Sequence, residues 1–190
     1  MPDLIPPATC LHAAWLDAHR EWGPGVHEDG FGLRPSDEVG SPEGFAAWVA
    51  RLASQSDPAR PVAAGLVHCT YRWIVEDGRV LGGIALRHEL NERLMQLGHV
   101  GYGIRPSARR RGLAAWALGR MLGEARALGL DRVLIVCEAG NIASAKTAER
   151  NGGVLEDIQD TGHGAVRRYW VMVHDGHRPG SAPGGTSHTQ

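Results

Sequence analysis

The sequence predicts a single domain of the α/β class, in which helices cover a central sheet. Three observations lead to this fold. Short apolar runs, typical of buried strands, alternate with stretches whose apolar residues recur at helical spacing. The dipeptide Asp77-Gly78 separates two strand-like runs and indicates a β-hairpin with a two-residue turn. Residues 100–128 contain a strand, a glycine-containing basic turn and a helix in direct succession.

Composition limits the classes of protein that the chain can represent. Its 190 residues are 43% hydrophobic, which is typical of a globular domain, and its formal net charge of −1 predicts neither a nucleic-acid nor a membrane partner. No apolar run approaches the roughly 20 residues of a membrane span. Three scattered cysteines, Cys10, Cys69 and Cys137, suit reduced thiols, and the N-terminus lacks a signal-peptide pattern. We therefore expect a cytoplasmic protein.

Two helices and a hairpin are predicted in the first half of the chain. Residues 1–9 are predicted as a proline-rich lead-in. Apolar residues at helical spacing then mark a helix over residues 11–22. Ser41 can cap a second helix, with Pro42 at its first position. The hairpin strands are placed at residues 70–76 and 79–87, and loops or short turns at 23–40, 54–61 and 88–98.

The second half is predicted to alternate strands and helices. Pro106 ends a strand over residues 100–104, because its ring fixes φ and offers no N–H. The next helix buries Leu118, Met121 and Ala125 and stops at Gly129. A strand at 131–137, a helix from Asn141 to Gly152 and an antiparallel pair at 154–158 and 166–173 complete a domain spanning 1–175. Residues 176–190 lack core-forming residues and are predicted to be a disordered tail.

The turn between the strand at 100–104 and its helix is a candidate anion site. A helix N-terminus presents free backbone N–H groups and the positive end of its dipole. Gly112 and Ala114 leave the main chain open to a ligand, and Arg109, Arg110 and Arg111 can pair with phosphate. The alternative interpretations are a solvated basic turn or a nucleic-acid patch, the latter disfavoured by the near-neutral net charge.

Three motifs carry a resemblance to a known family. Arg109-x-x-Gly112-x-Ala114, after a strand ending Gly103-Ile104-Arg105-Pro106, resembles the acetyl-CoA signature of the GNAT acetyltransferase superfamily. Asn141-Ile142-Ala143-Ser144 and Asn151-Gly152-Gly153 follow in the order that the superfamily shows. The segments IALRHELNERL, GHVGYGIRPSARRRG and NIASAKTAERNGGVLED are similar to a predicted-acetyltransferase subgroup, and the resemblance covers residues 11–174.

The resemblance implies an enzyme that moves an acetyl group from acetyl-CoA to a primary amine by direct transfer, without a metal. It implies a mixed, mostly antiparallel sheet of six or seven strands flanked by about four helices. It also implies a cofactor site in which the pantetheine arm pairs with the exposed main chain of a splayed strand. The residues expected at that site are Gly103, Ile104, Arg109, Arg110, Arg111, Gly112, Leu113, Ala114, Asn141 and Ser144.

The proton-transfer residues are less well marked. Many superfamily members carry a tyrosine seven residues after the motif asparagine, as the acid for the departing thiolate, whereas this chain has Ala148. That role is unfilled, moved to water or Ser144, or unnecessary, since a thiol with a pKa near 8.5 leaves readily. His99 and Glu138 are the predicted bases, with His88 and Glu89 as further candidates.

The acceptor is predicted only as a small-molecule or peptide amine. His88 and Asn91, in the segment RHELN, and Tyr102 are candidate contacts for it. The histidines show no metal-binding spacing, so no metal site is expected. A CoA-binding or acyl-CoA-binding module without turnover is the alternative function, and a homodimer is left open.

Overall fold

The computed structural model describes residues 1–23, 29–162 and 164–173. The predicted tail at 176–190 lies outside the described residues, as does part of the predicted loop at 23–40. The four helices are α1 (His12–Trp22), α2 (Pro42–Ser56), α3 (Leu113–Ala127) and α4 (Ile142–Arg150). The seven strands are β1 (Asp3–Ile5), β2 (Cys69–Glu76), β3 (Arg79–Arg87), β4 (Val100–Ile104), β5 (Arg132–Glu138), β6 (Val154–Asp160) and β7 (Ala165–Met172).

The strands form two antiparallel sheets. The first has the order β1-β2-β3-β4 and the second the order β5-β7-β6. An isolated bridge between Gly98 and Ile135 connects them. The predicted α/β class, the number of strands and the four helices are confirmed, and the sheet is divided in two between β4 and β5.

Local sequence signals account for several element boundaries. The hydroxyl of Ser41 accepts a hydrogen bond from the Gly44 N–H at 3.1 Å and caps α2. Asp77 and Gly78 both have positive φ, 50° and 73°, as a two-residue hairpin turn of the primed type requires. These capping and turn predictions are confirmed.

The lead-in prediction at the N-terminus is wrong in part. Residues Asp3–Ile5 form β1 and pair with the edge of β2, with Leu4 opposite Ile74. The strand is only three residues long because Pro6 and Pro7, which follow it, cannot donate to the ladder. A strand this short leaves no alternating pattern in the sequence.

Two buried clusters lie on opposite faces of the first sheet. One packs α1 and α2 against the sheet and is rich in aromatic rings, including Trp15, Trp48 and Trp73. The other packs α3 and α4 against both sheets, with Leu118 and Met121 fully buried. Each such side chain contributes roughly 1.5–3 kcal/mol by its burial. The first sheet therefore separates a side covered by α1 and α2 from a side covered by α3 and α4.

A buried arginine fixes the end of β4 to α1. The Arg105 side chain is 4% exposed, and it donates from Nε to Glu21 at 2.6 Å and from Nη2 to Asp17 at 2.8 Å. Its backbone N–H donates to the Leu81 carbonyl at 2.9 Å. Ser107 donates to Glu21 from both its backbone and its hydroxyl. These bonds hold the start of the β4–α3 turn in place.

His99 joins the two sheets at the point where β4 begins. Its backbone N–H donates to the Leu134 carbonyl at 2.7 Å, and its ring Nδ1 accepts from the Leu134 N–H at 2.9 Å. The imidazole therefore takes the place of a main-chain carbonyl in the β4–β5 pairing. Burial, and then the charge of Arg87, lower the pKa of His99 to about 4, so the ring is neutral at neutral pH.

We predict that this junction weakens as the pH falls from 6.5 to 4. Unfolded His99 takes up a proton at its ordinary pKa of 6.5, but folded His99 does so only near 4. Its contribution to the free energy of unfolding, on the order of 3 kcal/mol, is present above pH 6.5 and lost towards pH 4. His99→Asn keeps an acceptor for Leu134 and does not titrate. Urea denaturation across this range should show the advantage of wild type over the variant shrinking, and a constant difference would contradict the assignment.

Candidate active site

A cavity of about 650 Å³ lies between the end of β4, the start of α3 and one face of α4. This volume is within the range of about 300–1,000 Å³ that is typical of small-molecule sites. The cavity is lined by Tyr102 and by nine residues of the predicted cofactor set: Gly103, Ile104, Arg109, Arg110, Gly112, Leu113, Ala114, Asn141 and Ser144. The structure thus brings together the end of β4 at 102–104 and two of the three motifs, at 109–114 and 141–144, which lie up to 42 positions apart in the chain.

One wall of the cavity is a strand edge without a neighbouring strand. Beyond the His99 junction, β4 pairs only with β3 among the described strands. The Arg105 N–H donates to the Leu81 carbonyl on β3, and successive residues of a strand direct their main-chain groups to opposite edges. The main-chain groups of Tyr102 and Ile104 therefore face away from β3. Arg109 Nε donates to the Ile104 carbonyl at 2.9 Å, which satisfies one of them.

The opposite end of the cavity is the N-terminus of α3. Gly112 occupies the N-cap position with φ +79°, and no side chain caps the helix there. The first helical bond runs from the Trp116 N–H to the Gly112 carbonyl, so the N–H groups of Leu113 to Ala115 have no partner within the helix. Arg110, two residues before, also has positive φ, +64°. This turn presents several donors together and is suited to an anion.

Basic side chains surround these donors. Arg109, Arg110, Lys146 and Arg150 line the cavity, and no aspartate or glutamate of the described part of the chain is among its lining residues. Lys146 and Arg150 are missing from the sequence prediction. They lie four residues apart on α4, so they share a helix face, and that spacing after Asn141 is the signal that could have identified them.

The Arg111 side chain is directed elsewhere. Its guanidinium donates to Glu76 at 2.6 Å, and it does not line the cavity. That hydrogen bond holds the pKa of the Glu76 carboxyl below its usual value. Because this side chain is bound to Glu76, only the main chain of Arg111 is available for the predicted contact with the cofactor. That contact stays a prediction.

A pair of hydroxyl groups belongs to residues that line the cavity. The hydroxyl groups of Tyr102 on β4 and Ser144 on α4 are 2.7 Å apart. Asn141 Oδ1 accepts from the Ser144 N–H at 3.0 Å and thereby caps α4, as predicted. Burial raises the pKa of Tyr102 to about 12, so its phenol is protonated throughout the physiological range. Cys137, whose pKa burial also raises, lies beside the same pair.

The two predicted bases do not line this cavity. His99 has its Nδ1 occupied by the Leu134 N–H, and its pKa of about 4 is far from the value near the working pH that suits a general base. Its contacts favour a structural role. Glu138 is exposed at the end of β5. Their catalytic roles stay predictions.

The RHELN segment lies at the far end of β3. His88 Nε2 is 2.8 Å from the Thr70 hydroxyl, and burial lowers the pKa of His88. Asn91 donates to the Gly65 carbonyl at 3.2 Å and accepts from the Leu94 N–H at 3.0 Å. The Asn91 bonds connect Gly65 and Leu94, which line a second, smaller cavity, but neither His88 nor Asn91 lines it. Their predicted contact with an acceptor is not tested by these bonds.

The described residues contain neither a candidate metal site nor a helix suited to cross a membrane. Within the described ranges, no group of three or more histidine, cysteine, aspartate or glutamate side chains could hold a metal ion. No helix of that part of the chain has both the length and the apolar character to cross a membrane.

Comparison with known proteins identifies the family. The acetyltransferase (GNAT) domain model matches residues 13–154. No curated protein matches the sequence. Among solved structures, an acetyltransferase of the GNAT family from Streptococcus pneumoniae has a TM-score of 0.62 at 15% identity, covering 92% of this chain and 100% of that one. The fold described above is therefore that of an acyltransferase.

Two further structures are similar in fold. The structure of yncA from Salmonella typhimurium, with its cofactor acetyl-CoA, has a TM-score of 0.58 at 14% identity and covers 96% of this chain and 98% of that one. RimL, a ribosomal L7/L12 alpha-N-protein acetyltransferase in complex with coenzyme A, has a TM-score of 0.64 at 17% identity, covering 90% and 93%. With its domain model spanning about three quarters of the sequence, the chain belongs to the GNAT acetyltransferase family. The predicted family and enzyme class are confirmed.

We predict that a methyl group at Gly112 impairs acetyl-CoA binding. A Cβ there would meet no protein atom within 4 Å, so it would occupy the space beside the free N–H groups. Gly129, just beyond the other end of α3, has φ +80° and equally open surroundings, so Gly129→Ala is the matched control. Each variant should lose about 1–2 kcal/mol of stability, because alanine is strained at positive φ.

Only Gly112→Ala should reduce the increase in melting temperature that acetyl-CoA produces. Thermal denaturation of wild type and both variants, with and without acetyl-CoA, measures this. An undiminished increase in a folded Gly112→Ala variant would show that the ligand does not lie on the α3 N-terminus.

Proposed function

We propose that the enzyme transfers an acetyl group from acetyl-CoA to an amine of a small molecule or peptide. One observation carries this proposal: the free edge of β4 and the uncapped, basic N-terminus of α3 meet in one cavity. An extended, amide-containing arm can pair with the strand edge, while a pyrophosphate can bind the helix N-terminus. The presence of acetyl-CoA or coenzyme A in similar folds supports the same donor here.

The residues present fit such a donor. The N–H groups of Leu113 and Ala114, with Gly112 beside them, would hold the pyrophosphate, and the basic side chains of Arg110, Lys146 and Arg150 would pair with its charges. Main-chain groups of Tyr102 and Ile104 would hydrogen-bond the pantetheine arm. The thioester, once bound, supplies an activated acetyl group whose sulfur is a fair leaving group, because thiols have pKa values near 8.5.

Transfer requires two proton movements. An alkyl amine with a pKa of about 10.4 must lose a proton to attack the thioester carbonyl, and the departing sulfur must gain one. Water in the open cavity would accept the proton of the amine. We assign donation to the sulfur to the Tyr102–Ser144 hydroxyl pair, because both residues line the cavity and the phenol stays protonated. Ala148, the position where many superfamily members carry tyrosine, has no hydroxyl and is fully buried. The acid function would thus be supplied by Tyr102 of β4 together with Ser144 of α4.

A CoA-binding module without turnover remains the second candidate, and the alanine at position 148 is the observation that favours it. The two functions are distinguished by turnover. Release of the CoA thiol from acetyl-CoA, with a panel of primary amines, should occur and be matched by a mass increase of one acetyl group on an amine. Tight binding of acetyl-CoA, with no acetylated product from any amine, would establish the second function instead.

The compartment is part of the proposal. None of the three cysteines forms a disulfide bond; Cys69 and Cys137 are buried and Cys10 is exposed. Thiols that are not oxidised to disulfides suit a reducing compartment, and this supports the expected cytoplasmic location.

We predict that Tyr102→Phe and Ser144→Ala each lower kcat about tenfold, less than the 10²–10⁴ typical of general acid catalysis because the thiolate is a fair leaving group. The KM for acetyl-CoA should stay nearly unchanged. Tyr169→Phe is the matched control, since this buried phenol also bonds α4, through Glu149 at 3.1 Å, but does not line the cavity. Steady-state kinetics measures the effect. An equal loss of kcat in Tyr169→Phe would indicate a general effect on α4.

A further inference from the structure

A second cavity, of about 170 Å³, lies on the side of the first sheet that α1 and α2 cover. It is bounded by the end of α2, the start of β2, the end of β3 and the turn that precedes β4. Its polar lining consists of Arg34, Arg87, Arg93, Gln55, Tyr71 and Cys69. The volume is below the roughly 300–1,000 Å³ of whole-ligand sites, so it fits one end of a larger molecule.

The described residues that line this second cavity carry positive charge alone. Arg34, Arg87 and Arg93 contribute three guanidinium groups, and none of the described lining residues is acidic. Asp37, which accepts from the Arg34 backbone, is paired with Arg51. No ion pair of the exposed Arg34 and Arg93 side chains occurs within the described residues. A planar guanidinium binds a carboxylate with two parallel hydrogen bonds, so this arrangement is suited to a carboxylate.

The second cavity adjoins the place where the two sheets separate. Arg87 donates from Nη1 to the Gly98 carbonyl at 3.0 Å, and Gly98 forms the bridge to β5. In the sheet register, Tyr71 lies opposite Ala85, and Ala85 lies opposite Gly101, next to Tyr102. Two strand spacings of about 4.8 Å thus separate the cavity wall from the β4 edge where the thioester is proposed to lie.

The two cavities lie on opposite faces of the first sheet. Tyr71 belongs to the cluster under α1 and α2, whereas Tyr102 packs in the cluster under α3 and α4. A molecule held by the arginines would therefore approach β4 from the face opposite the cofactor cavity. Its amine would lie roughly 5–10 Å from its bound end, a reach of one to two strand spacings.

We infer that the acceptor is an amine that carries a carboxylate, and that Arg34, Arg87 and Arg93 bind this carboxylate in the second cavity. The inference rests on the proposed acetyl transfer. In a suitable acceptor the amine lies several bonds from the carboxylate, as in 6-aminohexanoate or a free dipeptide. A compact acceptor such as glycine is too short to span the two sites.

The test compares acids with their uncharged amides. Wild type should acetylate 6-aminohexanoate with a KM at least tenfold lower than that for 6-aminohexanamide, and glycylglycine should be preferred over glycylglycinamide in the same way. Glycine should be a poor acceptor. Equal use of acids and amides would overturn the inference.

Two variants at the cavity mouth, Arg34→Gln and Arg93→Gln, locate the effect. Each should raise the KM for 6-aminohexanoate about tenfold, because a charged hydrogen bond is lost, with kcat and the KM for the amide unchanged. Arg60→Gln is the control, since Arg60 is an exposed arginine that does not line the cavity. An equal rise in the KM for 6-aminohexanoate in all three variants, or no rise in any of them, would contradict the assignment.

Binding is measured separately from turnover. Saturation-transfer NMR with 6-aminohexanoate should show contact with wild type loaded with CoA, and weaker contact with Arg93→Gln. Carboxylate binding without acetylation would refute the proposed function and retain the arginine-lined carboxylate site. Acetylation of amides, with no detectable binding of 6-aminohexanoate, would support the proposed function and refute the carboxylate site.

Discussion

The separation of the sheet at His99 is the constraint on which the site depends. The imidazole replaces a main-chain carbonyl in the pairing of β4 with β5, so the two strands are joined at one point. Beyond it, the β4 edge has main-chain groups with no neighbouring strand. Unpaired main-chain groups are costly to bury, and a cavity that admits a hydrogen-bonding ligand resolves that cost. A side chain that takes the place of a backbone acceptor thereby creates a binding edge.

The other features of the molecule position ligands around this edge. Arg105, held by Asp17 and Glu21 of α1, fixes the turn that leads to the free N–H groups of α3. The basic face of α4 closes the cofactor cavity and supplies Ser144 opposite Tyr102. On the reverse face, a separate set of arginines provides charge next to the same junction. In the proposed reaction, the sheet keeps two anionic ligands apart and allows their reactive ends to meet at β4.

The sequence was sufficient to predict the elements and motifs whose signals are local. The Asp77-Gly78 turn, the caps at Ser41 and Asn141, and the glycine at the start of α3 each depend on neighbouring residues. The division into two sheets was not predictable, because it depends on a ring nitrogen bonding a strand 35 residues away. The arginine-lined cavity gathers side chains from four separated segments, and no spacing connects them. Lys146 and Arg150 were within reach of sequence reasoning, since their helical spacing is regular.

Whether the β4 edge binds the cofactor is decided by a crystal structure of the protein with acetyl-CoA. We expect an extended pantetheine arm along β4, hydrogen-bonded to the main chain of Tyr102 and Ile104. We also expect a pyrophosphate on the N–H groups of Leu113 and Ala114, and a thioester sulfur beside the Tyr102 and Ser144 hydroxyl groups. A cofactor bound on another surface, or a β4 edge that remains unpaired with the cofactor present, would contradict it.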